Sequence, residues 1–202
     1  MRSARKLLLL LAFCTPCVYA QDDVAPVSAY ADAGIGLYGN LGRENPNFDF
    51  DGGADITHHK LFAEVEAGAD TANGKGTGNG YTLRTHGLVF YHPPGKWSFG
   101  GGLYFAEFST SAFKEHDVWP SAGLLFNGEW LRANMQYLFP GSNSNYHETG
   151  PLVDLRLHIV RGFYLRERLA VLHYCDRVET PPQGHVGAEA TFGVLYVFHD
   201  KR

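Results

Sequence analysis

The chain has 202 residues, with 17 Lys and Arg against 21 Asp and Glu and a formal net charge of −4. That length suits one domain, and the mild acidity gives no reason to expect a nucleic-acid partner. Beyond residue 20 no run approaches the ~18 apolar residues of a spanning helix, so a chain that meets a bilayer must do so as a closed barrel.

Residues 1–20 read as a secretory signal peptide. Arg2, Arg5 and Lys6 precede the apolar run Leu7–Phe13, and Val18-Tyr19-Ala20 offers small residues for cleavage. Neither Cys14 nor Cys17 combines the preceding leucine and small residue of lipoprotein processing, so both leave with the signal. Removal takes three cations away and brings the charge to −7. Cys175 is then the remaining cysteine, with no partner for an internal disulfide and a place beside a loop. Residues 21–26 form a short lead, 27–198 the barrel domain and 199–202 a periplasmic tail.

Successive strand residues face opposite sides, so alternation is the signal to follow. Val27–Asn40 sets Val27, Ala29, Ala31, Ala33, Ile35 and Leu37 against Ser28, Tyr30, Asp32, Gly34, Gly36 and Tyr38. Leu41–Pro46 is a loop. Asn47–Thr57 alternates weakly, with Phe48, Phe50, Ala54 and Ile56 against Asp49, Asp51, Gly53 and Asp55. After a turn at Thr57–His59, Lys60–Asp70 places Phe62, Glu64, Glu66 and Asp70 opposite Leu61, Ala63, Val65, Ala67 and Ala69. A Gly/Asn-rich loop, Thr71–Gly80, leads to Tyr81–Tyr91, where Leu83, Val89 and Tyr91 oppose Arg84 and His86.

His92–Lys96 is a tight turn by its Pro and Gly content. Trp97–Phe108 returns, the loop Ser109–Asp117 follows, and Val118–Phe126 comes back to Asn127-Gly128, the strongest short hairpin signal in the chain. Glu129–Phe139 alternates cleanly. Pro140–Gly150 is a loop, Pro151–Val160 a strand, and Arg161-Gly162 a short turn. Phe163–Tyr174 directs Leu165, Leu169 and Val171 outward and Arg166 and Arg168 inward. Asp176–Gly184 is the last long loop. The count is ten strands, with short turns alternating with long loops as in outer-membrane barrels. The alternative is eight strands from Lys60, with residues 21–56 as an added segment.

The final strand, His185–Phe198, carries Val186, Ala188, Ala190, Phe192, Val194, Tyr196 and Phe198 on one parity, with four residues after it. It resembles the closing strand of a bacterial outer-membrane β-barrel, whose assembly signal is an alternating apolar strand ending in Phe. With its signal peptide and patterning, the chain resembles the transmembrane part of OmpA-type proteins, without their peptidoglycan-binding domain. The resemblance implies an all-β, single antiparallel up-and-down transmembrane barrel in the outer membrane of a diderm bacterium. It implies contact with outer-membrane lipid and delivery to the barrel-assembly machinery through the closing strand.

Charge decides which face meets lipid. Arg84, Arg132, Arg156, Arg166 and Arg168 lie mid-strand opposite the apolar parity. Each would cost roughly 2–4 kcal/mol at the bilayer midplane, together about 10–20 kcal/mol, so they must point into the lumen. There they share parity with Glu64, Glu66, Asp154 and Glu189. An internal ion-pair network follows, leaving no wide pore. Tyr91, Trp97, Trp130, Tyr137, Phe139, Tyr196 and Phe198 lie near strand ends on the apolar parity and read as interface aromatics.

The function expected is structural or surface-interacting, with an unknown ligand on the external loops, and not enzymatic. No His-x-Ser pair shares a strand face, and no catalytic residue is assigned. His86 and His158 face inward, but a metal needs three or four converging groups, so no metal or cofactor is assigned. Two alternatives stay open. One is an outer-membrane lipid-modifying enzyme or protease. The other is a soluble lipocalin-like barrel with its apolar face inward.

Overall fold

The computed structural model describes residues 27–40, 43–74, 78–92, 95–109, 114–142, 146–176 and 183–198. The expected signal peptide, lead and tail lie outside them. Ten strands run in chain order: β1 Val27–Asn40, β2 Arg43–His58, β3 Leu61–Gly74, β4 Gly78–Tyr91, β5 Trp97–Ser109, β6 Lys114–Asn127, β7 Leu131–Leu138, β8 Tyr146–Val160, β9 Phe163–Asp176 and β10 Gln183–Phe198. Each pairs antiparallel with its chain neighbours, and β1 pairs with β10 to close the barrel. The weakly patterned segment around Phe48 and Phe50 is a full strand, which removes the eight-strand alternative.

The strands outrun their patterning at the long-loop end. β2 begins at Arg43, not Asn47, and longer strands take up part of each of the segments Thr71–Gly80, Ser109–Asp117, Pro140–Gly150 and Asp176–Gly184. Cys175 lies one residue from the end of β9, opposite His147 in the backbone register. The reason for the longer strands is that apolar alternation marks only the part of the wall whose outer face is apolar, whereas backbone pairing does not depend on it and continues further. A tilted span takes about 9–11 residues. Strands of 13–16 residues exceed the length of such a span by several residues.

One turn also moved. The Gly128 amide donates to the Leu131 carbonyl at 2.9 Å, so the hairpin tip is Glu129-Trp130 and not Asn127-Gly128. Asn127 then stands opposite Arg132. A tip at Asn127-Gly128 would lift Arg132 four residues, away from its partners on the far wall. At the Arg161-Gly162 turn, Gly162 has φ of 76°, a left-handed value that favours glycine.

The barrel wears its apolar face outward. Ile35, Phe50, Val65, Phe99, Leu103, Leu165 and Phe192 are all half or more exposed or nearly so, while Glu64, Glu66, Asp154, Arg156 and Arg166 are buried. That polarity is the reverse of a lipocalin-like barrel. At the short-turn end outward rings pair as Tyr91–Phe99, Trp97–Phe126, Phe163–Tyr196 and Tyr196–Phe198, with centroids 4.8–5.3 Å apart. Tyr137–Phe139 forms a similar pair toward the other end. Trp130 sits on a turn tip, 61% exposed.

Candidate functional site

The lumen is built from two facing walls of opposite charge. On β1–β3 the register sets Asp32 opposite Asp51, Asp49 opposite Asp70, and Asp55 opposite Glu64. On β7–β9 it sets Arg132 opposite Arg156 and Arg156 opposite Arg166. Like charges directly across a strand pair repel. Each wall has one local counter-charge, Asp154 among the arginines and Arg84 on β4 beside the aspartates, and the other ion pairs cross the barrel.

Arg166, 3% exposed, is the centre. Its Nε lies 3.2 and 3.1 Å from the two Asp154 carboxylate oxygens, and Nη2 donates to Asp154 and, at 2.7 Å, to Glu66. Nη1 reaches Asp32 at 2.9 Å and Asp51 at 3.4 Å. Arg168 donates to Glu66 at 2.5 Å and Asp51 at 3.0 Å. Arg156 donates to Glu64 at 2.5 Å, and Arg132 to Glu64 at 2.8 Å and Asp55 at 2.9 Å. Arg84 bonds Asp49 and lies 3.5 Å from Asp70. The Tyr30 hydroxyl sits 2.6 Å from Glu64 and 2.8 Å from Glu66, beneath the Arg156 guanidinium, which stacks 4.5 Å from its ring centroid.

Space for this network comes from inward glycines. A Cβ on Gly53 would lie 2.5 Å from the Tyr30 ring, and one on Gly68 only 1.5 Å from the Asp51 carboxylate. Toward the short turns the lumen is apolar: Phe62, Leu88, Phe90 and Leu125 pack in one cluster, and Tyr30, Tyr164, Leu195 and Val197 in another. Toward the long loops Ala106, Trp119, Leu138, Ala170 and Leu172 pack together with Tyr104 and Leu152. The charged layer thus lies between two apolar ones.

Eight of the nine residues expected in the network meet there: Glu64, Glu66, Arg84, Arg132, Asp154, Arg156, Arg166 and Arg168. Glu189 keeps the inward parity but sits one inward position above the level of Arg168, opposite Ala170. Tyr30, Asp32, Asp49, Asp51, Asp55 and Asp70 belong to the network and were not assigned from sequence, although each lies on the inward parity of its strand.

Glu64, Glu66 and His86 bring ligand atoms within 4.8 Å of one another. Every carboxylate oxygen of the two glutamates already accepts from a guanidinium. A divalent ion would have to displace those cations, so the group does not fit a metal. His158 lies elsewhere, between the rings of Trp130 and Tyr164.

No family model matches the chain, and neither does any curated protein. Among solved structures it is similar to Neisserial surface protein A, NspA, at 10% identity and a TM-score of 0.45, over 85% of this chain and 97% of that one. It is also similar to a major outer membrane protein from Thermus thermophilus, at 15% identity and 0.38, over 86% of this chain and 100% of that one. A third similarity is to the translocator domain of autotransporter NalP from Neisseria meningitidis, at 13% and 0.34, over 97% and 96% respectively. What this chain has in common with all three is the barrel fold.

Proposed function

We propose that this protein is a closed outer-membrane barrel that serves as a rigid anchor. It holds its long-loop end above the membrane for contact with a surface ligand. The observation that carries the reading is the filled lumen beneath an apolar exterior. Four buried or part-buried arginines bridge the two walls, and Phe62, Leu88, Phe90 and Leu125 lie beneath them. Solute diffusing through would have to break buried charge-assisted bonds and then cross an apolar layer.

The outward aromatic pairs at the strand ends support seating at a bilayer interface, since amphipathic rings favour that depth. The strand length in excess of a tilted span supports recognition at the long-loop end. Export by the amino-terminal signal and assembly through the closing strand complete the reading. Two measurements test it together. Refolded protein is expected to need detergent or lipid for monodispersity and to run differently on a gel before and after heating. In planar bilayers it is expected to give no large stable current; such a current would refute the plugged lumen.

A further inference from the structure

The outward face carries one charge that the barrel does not explain. In β9 the side chains of Leu165, Glu167 and Leu169 share the outward parity, and Glu167 stands opposite Leu155 on β8 and Phe192 on β10. It has no hydrogen-bond or ion-pair partner among the described residues. Phe163, whose ring stacks on Tyr196 at the short-turn edge, lies four residues before it. Four residues of tilted strand rise about 10 Å, which puts Glu167 near the middle of an apolar band of ~25 Å. A carboxyl at that depth is too short to reach either interface, and an unpartnered ionisable group inside a membrane marks a contact.

We propose that Glu167 marks a self-association face on β8–β10, where two copies meet about a two-fold axis along the membrane normal and their carboxyl groups hydrogen-bond to each other. The proposal rests on the membrane reading above. Two carboxyl groups related by a two-fold axis bring their hydrogen-bonding atoms to the same point, so each offers the other a polar partner. Among the described side chains, other outward charged or titratable groups of the strand walls lie near strand ends, as Glu107, Lys114, His116 and His173 do toward the long loops. The flanking Leu165, Phe192 and Val194, each half or more exposed, would pack around the pair.

The test uses mature-length protein labelled at its amino terminus with donor or acceptor dye, reconstituted in phosphatidylcholine vesicles over a range of protein-to-lipid ratios. Energy transfer is expected to rise with density. Glu167→Gln, which keeps a donor and an acceptor, should preserve it. Glu167→Leu should require about tenfold higher density for the same transfer. Wild-type protein that stays monomeric at every density, or a Leu variant that associates equally well, overturns the proposal. Loss of association in the Gln variant overturns it too, because the attraction would then belong to the charge and to another partner. A heat-dependent gel shift retained by every variant separates these outcomes from failure of the barrel reading.

Discussion

Replacing Arg166 by Met tests the central claim that the lumen is held by cross-barrel charge. Arg166 serves Asp32, Asp51, Glu66 and Asp154. Three of these keep another cation: Asp51 and Glu66 keep Arg168, at 3.0 and 2.5 Å, and Asp154 keeps Arg156 at 3.4 Å. Asp32, whose side chain is only 6% exposed, has Arg166 as its ion-pair partner. Breaking a buried pair from one side costs about 3–5 kcal/mol, because the remaining charge is left uncompensated. A loss near 4 kcal/mol is therefore expected, a large share of a typical margin of about 5–15 kcal/mol. Guanidinium unfolding in detergent would measure it, followed by emission of Trp119, which is buried in the lumen. The same logic requires non-additivity: adding Asp32→Asn to Arg166→Met should recover at least about 1 kcal/mol. A single-variant loss under about 1 kcal/mol, or a double variant no better than the single, would refute the reasoning.

Further substitutions separate interior from exterior. Gly68→Ala drives a methyl into the Asp51 carboxylate and should cost about 1–3 kcal/mol in the same unfolding assay, whereas Gly87→Ala, which meets nothing within 4 Å, should stay within about 0.5 kcal/mol. Leu103→Arg, at an outward position 56% exposed in the middle of β5, should cost roughly 2–4 kcal/mol in a lipid-reconstituted folding titration; a neutral result would mean that this face does not meet hydrocarbon. Phe90→Ala empties a fully buried position in the apolar floor and should cost about 3–5 kcal/mol. Its planar-bilayer conductance should stay at baseline, because the ion-pair layer above remains; a large current would move the seal from the charges to the floor.

Much of this architecture is legible in single strands. A period of two needs no knowledge of neighbours, so the inward parity of Arg156, Arg166 and Arg168 and the outward parity of Leu165 and Val171 follow from their order in the chain. Strand ends at the long loops were not legible, because there the outer face loses the apolar alternation while backbone pairing continues. The Asn127-Gly128 signal misled for a different reason: local turn preference yielded to a register that sets Arg132 level with Asp55 and Glu64. Glu167 is legible in the sequence as a lone acid between Leu165 and Leu169 on the outward parity of β9.

Which acid meets which arginine depends on the register of ten strands, and the register shows why the alternatives are disfavoured. Asp32–Asp51, Asp49–Asp70 and Arg132–Arg156–Arg166 are like-charged rows within continuous sheet. An open sheet would hold these rows together with nothing facing them. Slipping a strand by one residue would turn its whole charged set toward lipid. Closure through β1 and β10 brings the acidic wall of β1–β3 opposite the basic wall of β7–β9. Asp154 and Arg84 relieve part of the repulsion from within neighbouring strands, and closure relieves the rest by bringing the two walls face to face.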